Sequence, residues 1–166
     1  MKLTLFVAIA FFFTSSCHNT DTATTANIAN NATGNNQLFF KINGQLWAAD
    51  NEIFGAYHPK GYNKAILIAG SKGPKDKNEQ TFNINLYNIN GPGTYIIKNG
   101  NTDNCVAQLA NLSPDNFLYG SMMGYAITVT LLQCNSTTVE ARFEGWLVGN
   151  NSDTLKISEG YFNYKQ

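Results

Sequence analysis

Apolar and polar residues alternate one by one along several segments of this sequence, and this pattern constrains the fold more than any other feature. From Ile127 to Leu131 aliphatic residues alternate with threonines, and the same period of two runs from Phe82 to Leu86 and from Val139 to Glu144. Successive side chains of a β-strand point to opposite faces of the sheet, so each segment is expected to bury one face and to wet the other. Half-buried strands of this kind are typical of antiparallel sheets.

Helical periodicity is absent by comparison. Short runs rich in β-branched and aromatic residues are separated by Gly, Asn and Pro, and none keeps a period of about 3.6 residues for long. The sequence therefore predicts an all-β domain, either an antiparallel β-sandwich or a small β-barrel of about 8–10 strands, with one short helical turn after Ser113-Pro114. The predicted strands span Leu38 to Asn43, Gln45 to Asp50, Ile53 to Tyr57, Lys64 to Ala69, Thr81 to Ile89, Thr94 to Ile97, Cys105 to Leu109, Tyr125 to Gln133, Thr138 to Val148 and Leu155 to Tyr164.

Two local signals refine these strands. Asn43-Gly44 lies between the first two, and this dipeptide best tolerates the positive φ angles of a type I′ turn, so a tight hairpin is expected there. Gly160 interrupts the last strand after Glu159, which favours a β-bulge. Such a bulge would decide which of Tyr161 and Phe162 points into the core.

The first 17 residues, MKLTLFVAIAFFFTSSC, are organised like a bacterial lipoprotein signal. The predominantly apolar segment from Leu3 to Phe13 is too short to cross a hydrocarbon layer about 30 Å thick as a helix, which favours a cleaved export signal. Small residues then precede Cys17. We predict a signal peptide over residues 1–16 and acylation of Cys17, although Thr14 stands where such signals usually carry Leu or Val. An ordinary secretory signal is the alternative.

Residues 17–37 have the composition of a tether. Thr, Ala and Asn dominate this stretch, which contains no aromatic residue and cannot bury a core. As a coil it would span roughly 20 to 25 Å. Within it, Asp21-Thr22-Ala23 resembles a Bacteroidota O-glycosylation acceptor, which makes Thr22 the candidate modified residue. Residues 38–166 are predicted to form a single all-β domain.

Charge and cysteine content limit the kinds of partner and cross-link that the sequence predicts. The chain carries 11 basic and 11 acidic residues, so no net charge favours binding to nucleic acid. Contact with the membrane is expected through the N-terminal lipid. With Cys17 assigned to the lipid, Cys105 and Cys134 remain as a possible disulfide pair worth about 3 kcal/mol. Two independent buried thiols are the alternative. No metal site is predicted, because the domain has no C-x-x-C motif and its only histidine is His58.

The ends of the folded region resemble a known group of proteins. Phe40 to Gly44 is followed by Trp47, and the sequence FEGW at Phe143 to Trp146 is followed by ISEGYF at Ile157 to Phe162. With these motifs the chain resembles small uncharacterised Bacteroidota-type lipoproteins that combine a lipidated leader, a polar spacer and a β-domain opening with NG-x-x-W. The resemblance implies this fold and an envelope location, and it implies no activity.

No motif of the domain predicts catalysis or a cofactor. His58 lies in a Pro and Gly loop without a sequence signal for a nucleophile, and Gly120 to Gly124 does not match the G-x-S-x-G elbow. Asn99 to Asn104 is rich in oxygen ligands but has one carboxylate and no terminal Glu, so it is interpreted as a turn and not as a calcium loop. The lysines of SKGPKDKNEQ alternate with acids, which indicates a solvated loop.

The remaining candidates are aromatic. Trp47 and Trp146 could each anchor the core or form part of an aromatic binding surface, and the large area of an indole favours the core for Trp47. Without a catalytic constellation, we expect a non-enzymatic, lipid-anchored binding module of the outer membrane, on its periplasmic or cell-surface face. Its expected ligand is a glycan or an envelope protein. The alternative is a protein inhibitor or immunity factor in the same compartment.

Overall fold

The computed structural model describes residues 36–115, 117–121 and 125–166. Within these ranges the chain is all-β, as predicted, and a single antiparallel sheet curls into a half-barrel. A membrane-spanning helix, which needs a long apolar run, is not present in this described part. The strands are β1 (Gln37–Ile42), β2 (Gln45–Ala48), β3 (Ile53–Tyr57), β4 (Ile66–Lys72), β5 (Gln80–Leu86), β6 (Gly93–Lys98), β7 (Val106–Ala110), β8 (Leu118–Gly120), β9 (Ala126–Cys134), β10 (Thr138–Gly149) and β11 (Thr154–Lys165).

The sheet forks at its longest strands. On one side β10 pairs with β11 along most of its length. On its other side it pairs first with β9, through Val139–Gly145, and then with β8, through Val148 and Gly149. One branch therefore consists of β6, β9, β10, β11, β1 and β2, and we call it the front wall. The other branch leads from β10 through β8, β7, β5 and β4 to β3.

An aromatic cluster joins the two branches on the concave face. Phe40 of β1 and Phe143 of β10 belong to the front wall, and their rings lie 4.5 and 5.3 Å from the ring of Phe82 on β5. All three side chains are at most 3% exposed. Because burying an aromatic side chain removes a large apolar area from water, these contacts between strands distant in sequence hold the sheet in its curl.

The alternation seen in the sequence is confirmed by burial. The apolar members of each alternating segment are the buried ones, and the intervening threonines, asparagines and charged residues are half-buried or exposed. The front wall thus has one face toward the core and one toward solvent.

The Asn43-Gly44 hairpin is also confirmed. Both residues have positive φ angles, 48° and 86°, as a type I′ turn requires, and Ile42 pairs with Gln45 across it. The side-chain oxygen of Asn43 accepts a hydrogen bond from the backbone N–H of Lys156 at 2.9 Å. The turn is therefore held by its own conformational preference and by a neighbouring strand.

A β-bulge occurs in β11 where Gly160 predicted one. The pairing partner of Phe39 is Tyr161 and that of Lys41 is Ser158, so β11 contains one extra residue, and Glu159 has a φ of 54°. A Cβ atom on Gly160 would collide with the ring and carbonyl of Phe143, which explains the glycine. Beyond the bulge Phe162 is fully buried and Tyr161 lies half-buried on the outer face.

The prediction of a helical turn after Ser113-Pro114 is wrong. The described residues there form bends, and they lead into β8, which was not predicted. This strand has three residues, too few to carry a periodic signal. It exists because the preceding strand β7 pairs with it on one side and the more distant β10 pairs with it on the other.

The predicted disulfide is not formed, since Cys105 and Cys134 are both free thiols. Each sulfur has a separate environment. The backbone N–H of Tyr87, beyond β5, donates to Sγ of Cys105 at 3.3 Å, whereas Cys134 is buried at the end of β9 opposite Val139. Cys105 directly precedes β7 and Cys134 ends β9, and these two strands are not paired with each other in the described sheet. Burial raises the pKa of both thiols, so both are protonated at neutral pH.

The N-terminal predictions mostly lie outside the described residues. This applies to the signal peptide over residues 1–16, to Cys17 and to Thr22. The predicted tether reached Gln37, but Gln37 already begins β1. The side chain of Asn36 also accepts a hydrogen bond from the backbone of Lys165 at 2.7 Å, so the folded domain includes both residues.

Candidate functional site

The outer face of the front wall carries the candidate site. Side chains that are directly paired across neighbouring antiparallel strands lie on the same face, so register identifies which of them meet. One cross-strand row runs through the middle of the wall. From β6 to β2 it consists of Thr94, Thr130, Arg142, Tyr161, Phe39 and Ala48.

A cleft of about 660 Å³ opens on this row. Its size lies within the range of roughly 300 to 1,000 Å³ that is typical of small-molecule sites. It runs over β9, β10, β11 and β1, on the face opposite the core. Its lining consists of Gln37, Phe39, Thr128, Thr130, Arg142, Phe143, Glu144, Glu159, Gly160 and Tyr161.

Two aromatic rings form the apolar part of the cleft. The centroids of Phe39 and Tyr161 are 5.6 Å apart, and their planes are inclined by 41°. Both side chains are half-buried, so part of each ring remains accessible to solvent. The two rings together present a bent apolar surface in an otherwise polar row.

The ring of Tyr161 is held in place by its hydroxyl. The phenol donates a hydrogen bond to Oε1 of Glu140 at 3.0 Å, and Glu140 is two residues from Arg142 on the same face of β10. Burial, and then the hydrogen bond and charge of Glu140, raise the pKa of Tyr161 above its ordinary value. Tyr161 is therefore a neutral donor throughout the physiological pH range.

Charged side chains flank the rings. Glu144 and Arg142 are exposed neighbours on the outer face of β10. Glu159, at the bulge, forms an ion pair of 2.9 Å with Lys41 of β1. Arg142 is the only arginine of the chain, and among the described residues no carboxylate lies within ion-pair distance of it. Its guanidinium therefore has donors available to a ligand.

Hydroxyl groups complete the floor on the β9 side. Thr128 and Thr130 are half-buried, and the hydroxyl of Thr130 lies 3.3 Å from that of Thr94 on β6. Each hydroxyl can both donate and accept a hydrogen bond. The cleft thus combines an apolar surface, one free guanidinium, exposed carboxylates and neutral hydroxyls.

The two tryptophans lie in different places. Trp47 is 2% exposed, stacks on Phe40 with a centroid distance of 4.6 Å and donates from Nε1 to Gln80 at 2.8 Å, so the preferred core interpretation is confirmed. Trp146 is 41% exposed. It pairs with Lys156 on the outer face of the front wall, beyond Glu144, and does not line the cleft.

The other candidate motifs lie apart from the cleft. His58 is exposed, and its ring stacks on Tyr57 at 3.8 Å. In the Asn99 to Asn104 segment the side chain of Asn101 bonds the backbone of Cys105 in both directions, and Asp103 accepts from Asn88. These contacts support the interpretation as a turn. Across residues 36–115, 117–121 and 125–166, no His, Cys, Asp and Glu side chains are grouped to hold a metal ion.

The residues of the cleft were not predicted from the sequence. Glu140, Arg142 and Glu144 were expected on a wetted face, but nothing local distinguished that face from others. A usable signal was present, because charged residues make up only 13% of the chain and three of them alternate on one strand. Phe39 and Tyr161 had no such signal, since their meeting depends on the pairing of β1 with β11.

Comparisons with known proteins do not add to this picture. No protein-family model matches the chain, and neither a curated protein nor a solved structure shows significant similarity to it.

Proposed function

We propose that this protein is a non-enzymatic binding module, held at the outer membrane by acyl chains on Cys17, and that the cleft on its front wall binds the ligand. One observation carries the proposal. The guanidinium of Arg142, which has no ion-pair partner in the part of the chain that the structure describes, lies beside two partly accessible aromatic rings in a cleft of about 660 Å³.

These side chains can contribute more to the binding of a ligand than to the stability of the fold. The core is formed on the opposite face, so Phe39 and Tyr161 add little to it beyond their mutual contact. Arginine and aromatic side chains are the groups most enriched in binding surfaces, because they bring large contact areas and directed donors. A ligand would cover the rings and use the free donors of Arg142.

The charged groups of the cleft favour binding over catalysis. Glu144 and Glu159 are exposed, and Glu159 is already paired with Lys41. Exposed carboxylates of this kind can accept hydrogen bonds from a bound ligand. The two thiols of the domain are protonated and lie outside the cleft lining, so they do not supply a nucleophile there.

A photo-crosslinking experiment tests the proposal in intact cells. A photoreactive phenylalanine at Ile96, which is 61% exposed and pairs with Thr128 beside the cleft, should give a crosslinked product. The matched control carries the same group at Thr81, an exposed position on β5 in the other branch, and should give none.

The Arg142→Ala change should abolish the product at Ile96. Arg142 is exposed, so this variant is expected to fold. Equal products from both crosslinker positions, or a product at Ile96 that persists without Arg142, would contradict a specific site in the cleft.

A further inference from the structure

We infer that the ligand of the cleft is a neutral glycan, bound with one sugar ring against Phe39 and Tyr161 and with its hydroxyls held by Arg142 and Glu144. This inference rests on the proposed binding function and specifies its ligand class. It draws on the apolar surface, the polar groups, the charge balance and the position of the cleft in the sheet.

The apolar surface fits the face of a sugar ring. A pyranose has its hydroxyls around the rim and C–H groups on its faces. The negative face of an aromatic ring attracts such weakly positive hydrogens. Phe39 and Tyr161, inclined by 41° with centroids 5.6 Å apart, offer a bent platform on which a ring and part of its neighbour can rest.

The polar groups fit the hydroxyls of the same ring. Each sugar hydroxyl is both a donor and an acceptor, so a good site needs both kinds of partner. Arg142 offers only donors and Glu144 only acceptors, and as alternate residues of β10 they lie roughly 6 to 7 Å apart along one face. Thr128 and Thr130 add hydroxyls of mixed character beside them.

The charge balance favours an uncharged ligand. Three carboxylates surround the row, those of Glu140, Glu144 and Glu159, against the two cations Arg142 and Lys41. The net negative charge around the row would repel an acidic sugar. The exposed guanidinium of Arg142 would repel a cationic ligand placed beside it. A neutral saccharide avoids both costs.

The position of the cleft argues against an extended peptide. Peptides that bind to sheets usually add a strand at an edge, where backbone N–H and C=O groups are unpaired. Here β9, β10, β11 and β1 each pair on both sides, so within the cleft their backbone groups are used by the sheet. The cleft offers side chains only, and side-chain recognition suits a chain of sugar rings.

An oligosaccharide array with the folded domain tests this inference, followed by calorimetry on the oligosaccharides that bind. The array should hold neutral oligosaccharides, uronic-acid oligosaccharides of matched length and unrelated peptides. We expect binding to neutral members only. The Arg142→Ala and Glu144→Gln variants, both at exposed positions, should each weaken it about tenfold or more.

Two variants of Tyr161, with one control variant, test whether binding depends on the aromatic ring itself. Tyr161→Phe keeps the ring and loses only the bond to Glu140, so binding should fall by no more than about threefold. Tyr161→Ala removes the platform and should abolish binding. Tyr62→Ala, which removes an aromatic side chain that is 55% exposed elsewhere, is the control and should bind normally.

The outcomes distinguish the ligand class from the binding function. Binding to acidic members or peptides alone, or binding unaffected by Arg142→Ala, would overturn the neutral glycan. If no oligosaccharide binds but the Ile96 crosslink still depends on Arg142, the glycan inference fails and the binding function stands. If that crosslink is also absent, both fail.

Discussion

At the scale of single residues, the two tryptophans show how position gives the same side chain different roles. Trp47 stacks on Phe40 inside the core, and Trp146 is 41% exposed on the outer face of the front wall. Both lie within strands, β2 and β10, so their difference comes from the sheet that surrounds them.

The tryptophan pair gives a matched prediction. Trp47→Ala should destabilise the domain by about 3 to 5 kcal/mol or unfold it, because it leaves a cavity beside Phe40 and Phe82 and deprives Gln80 of its donor. Trp146→Ala should change the free energy of unfolding by less than about 0.5 kcal/mol. Urea denaturation followed by circular dichroism measures both. A stable Trp47→Ala variant would show that the core does not depend on this contact.

The thiols give a second prediction at this scale. Burial raises the pKa of Cys105 and of Cys134, so the folded protein has a smaller thiolate fraction at any given pH than the unfolded chain. Both should react slowly with a thiol reagent near pH 7.5 and rapidly after unfolding, with native reactivity rising only at more alkaline pH. Mass spectrometry of alkylated protein prepared without reductant measures this. A linked pair of peptides would instead restore the disulfide predicted from the sequence.

At the scale of elements, the bulge in β11 links the core to the cleft. It places Phe162 inside and Tyr161 outside, and it depends on a residue without a Cβ at Gly160. The same strand therefore packs against Phe143 on one face and presents half of the aromatic platform on the other.

Gly160→Ala tests this link. The added methyl would collide with Phe143, and overpacking of this kind costs about 1 to 3 kcal/mol. Because relief of the collision must shift β11, ligand binding should weaken together with stability. Lys156→Ala, at an exposed position of the same strand, should alter neither. Thermal unfolding and calorimetry on both variants measure the effects, and an undisturbed Gly160→Ala domain would contradict the role of the bulge.

At the scale of the whole molecule, the protein has no net charge that would attract it to a membrane surface. The 11 basic and 11 acidic residues of the whole chain balance, so attachment is expected to come from the acylated N-terminus. A tether of about 20 Å would then place the domain beyond the lipid headgroups.

Cys17→Ala should therefore release the protein into the soluble fraction of cell lysates, since the loss of the acyl chains removes the main source of membrane affinity. Cys105→Ala is the matched control and should remain with the membranes. Immunoblotting of separated fractions gives the result. Retention of the Cys17→Ala protein in membranes would refute the lipoprotein assignment.

The sequence by itself determined the features that arise from a few neighbouring residues. The period of two predicted the buried faces of β5, β9 and β10, and Asn43-Gly44 predicted the hairpin, because side-chain direction and φ preference are local properties. Gly160 predicted the bulge for the same reason.

Only the tertiary structure decided what depends on strands distant in sequence. Strand order and register bring Phe39, Arg142 and Tyr161 into one row, and no local pattern encodes which wetted faces become neighbours. The same holds for the pairing of β8 with β10, and for Cys105 and Cys134, which the sheet places in separate environments. The cleft is thus a product of nonlocal pairing, whereas the strands that form it are encoded locally.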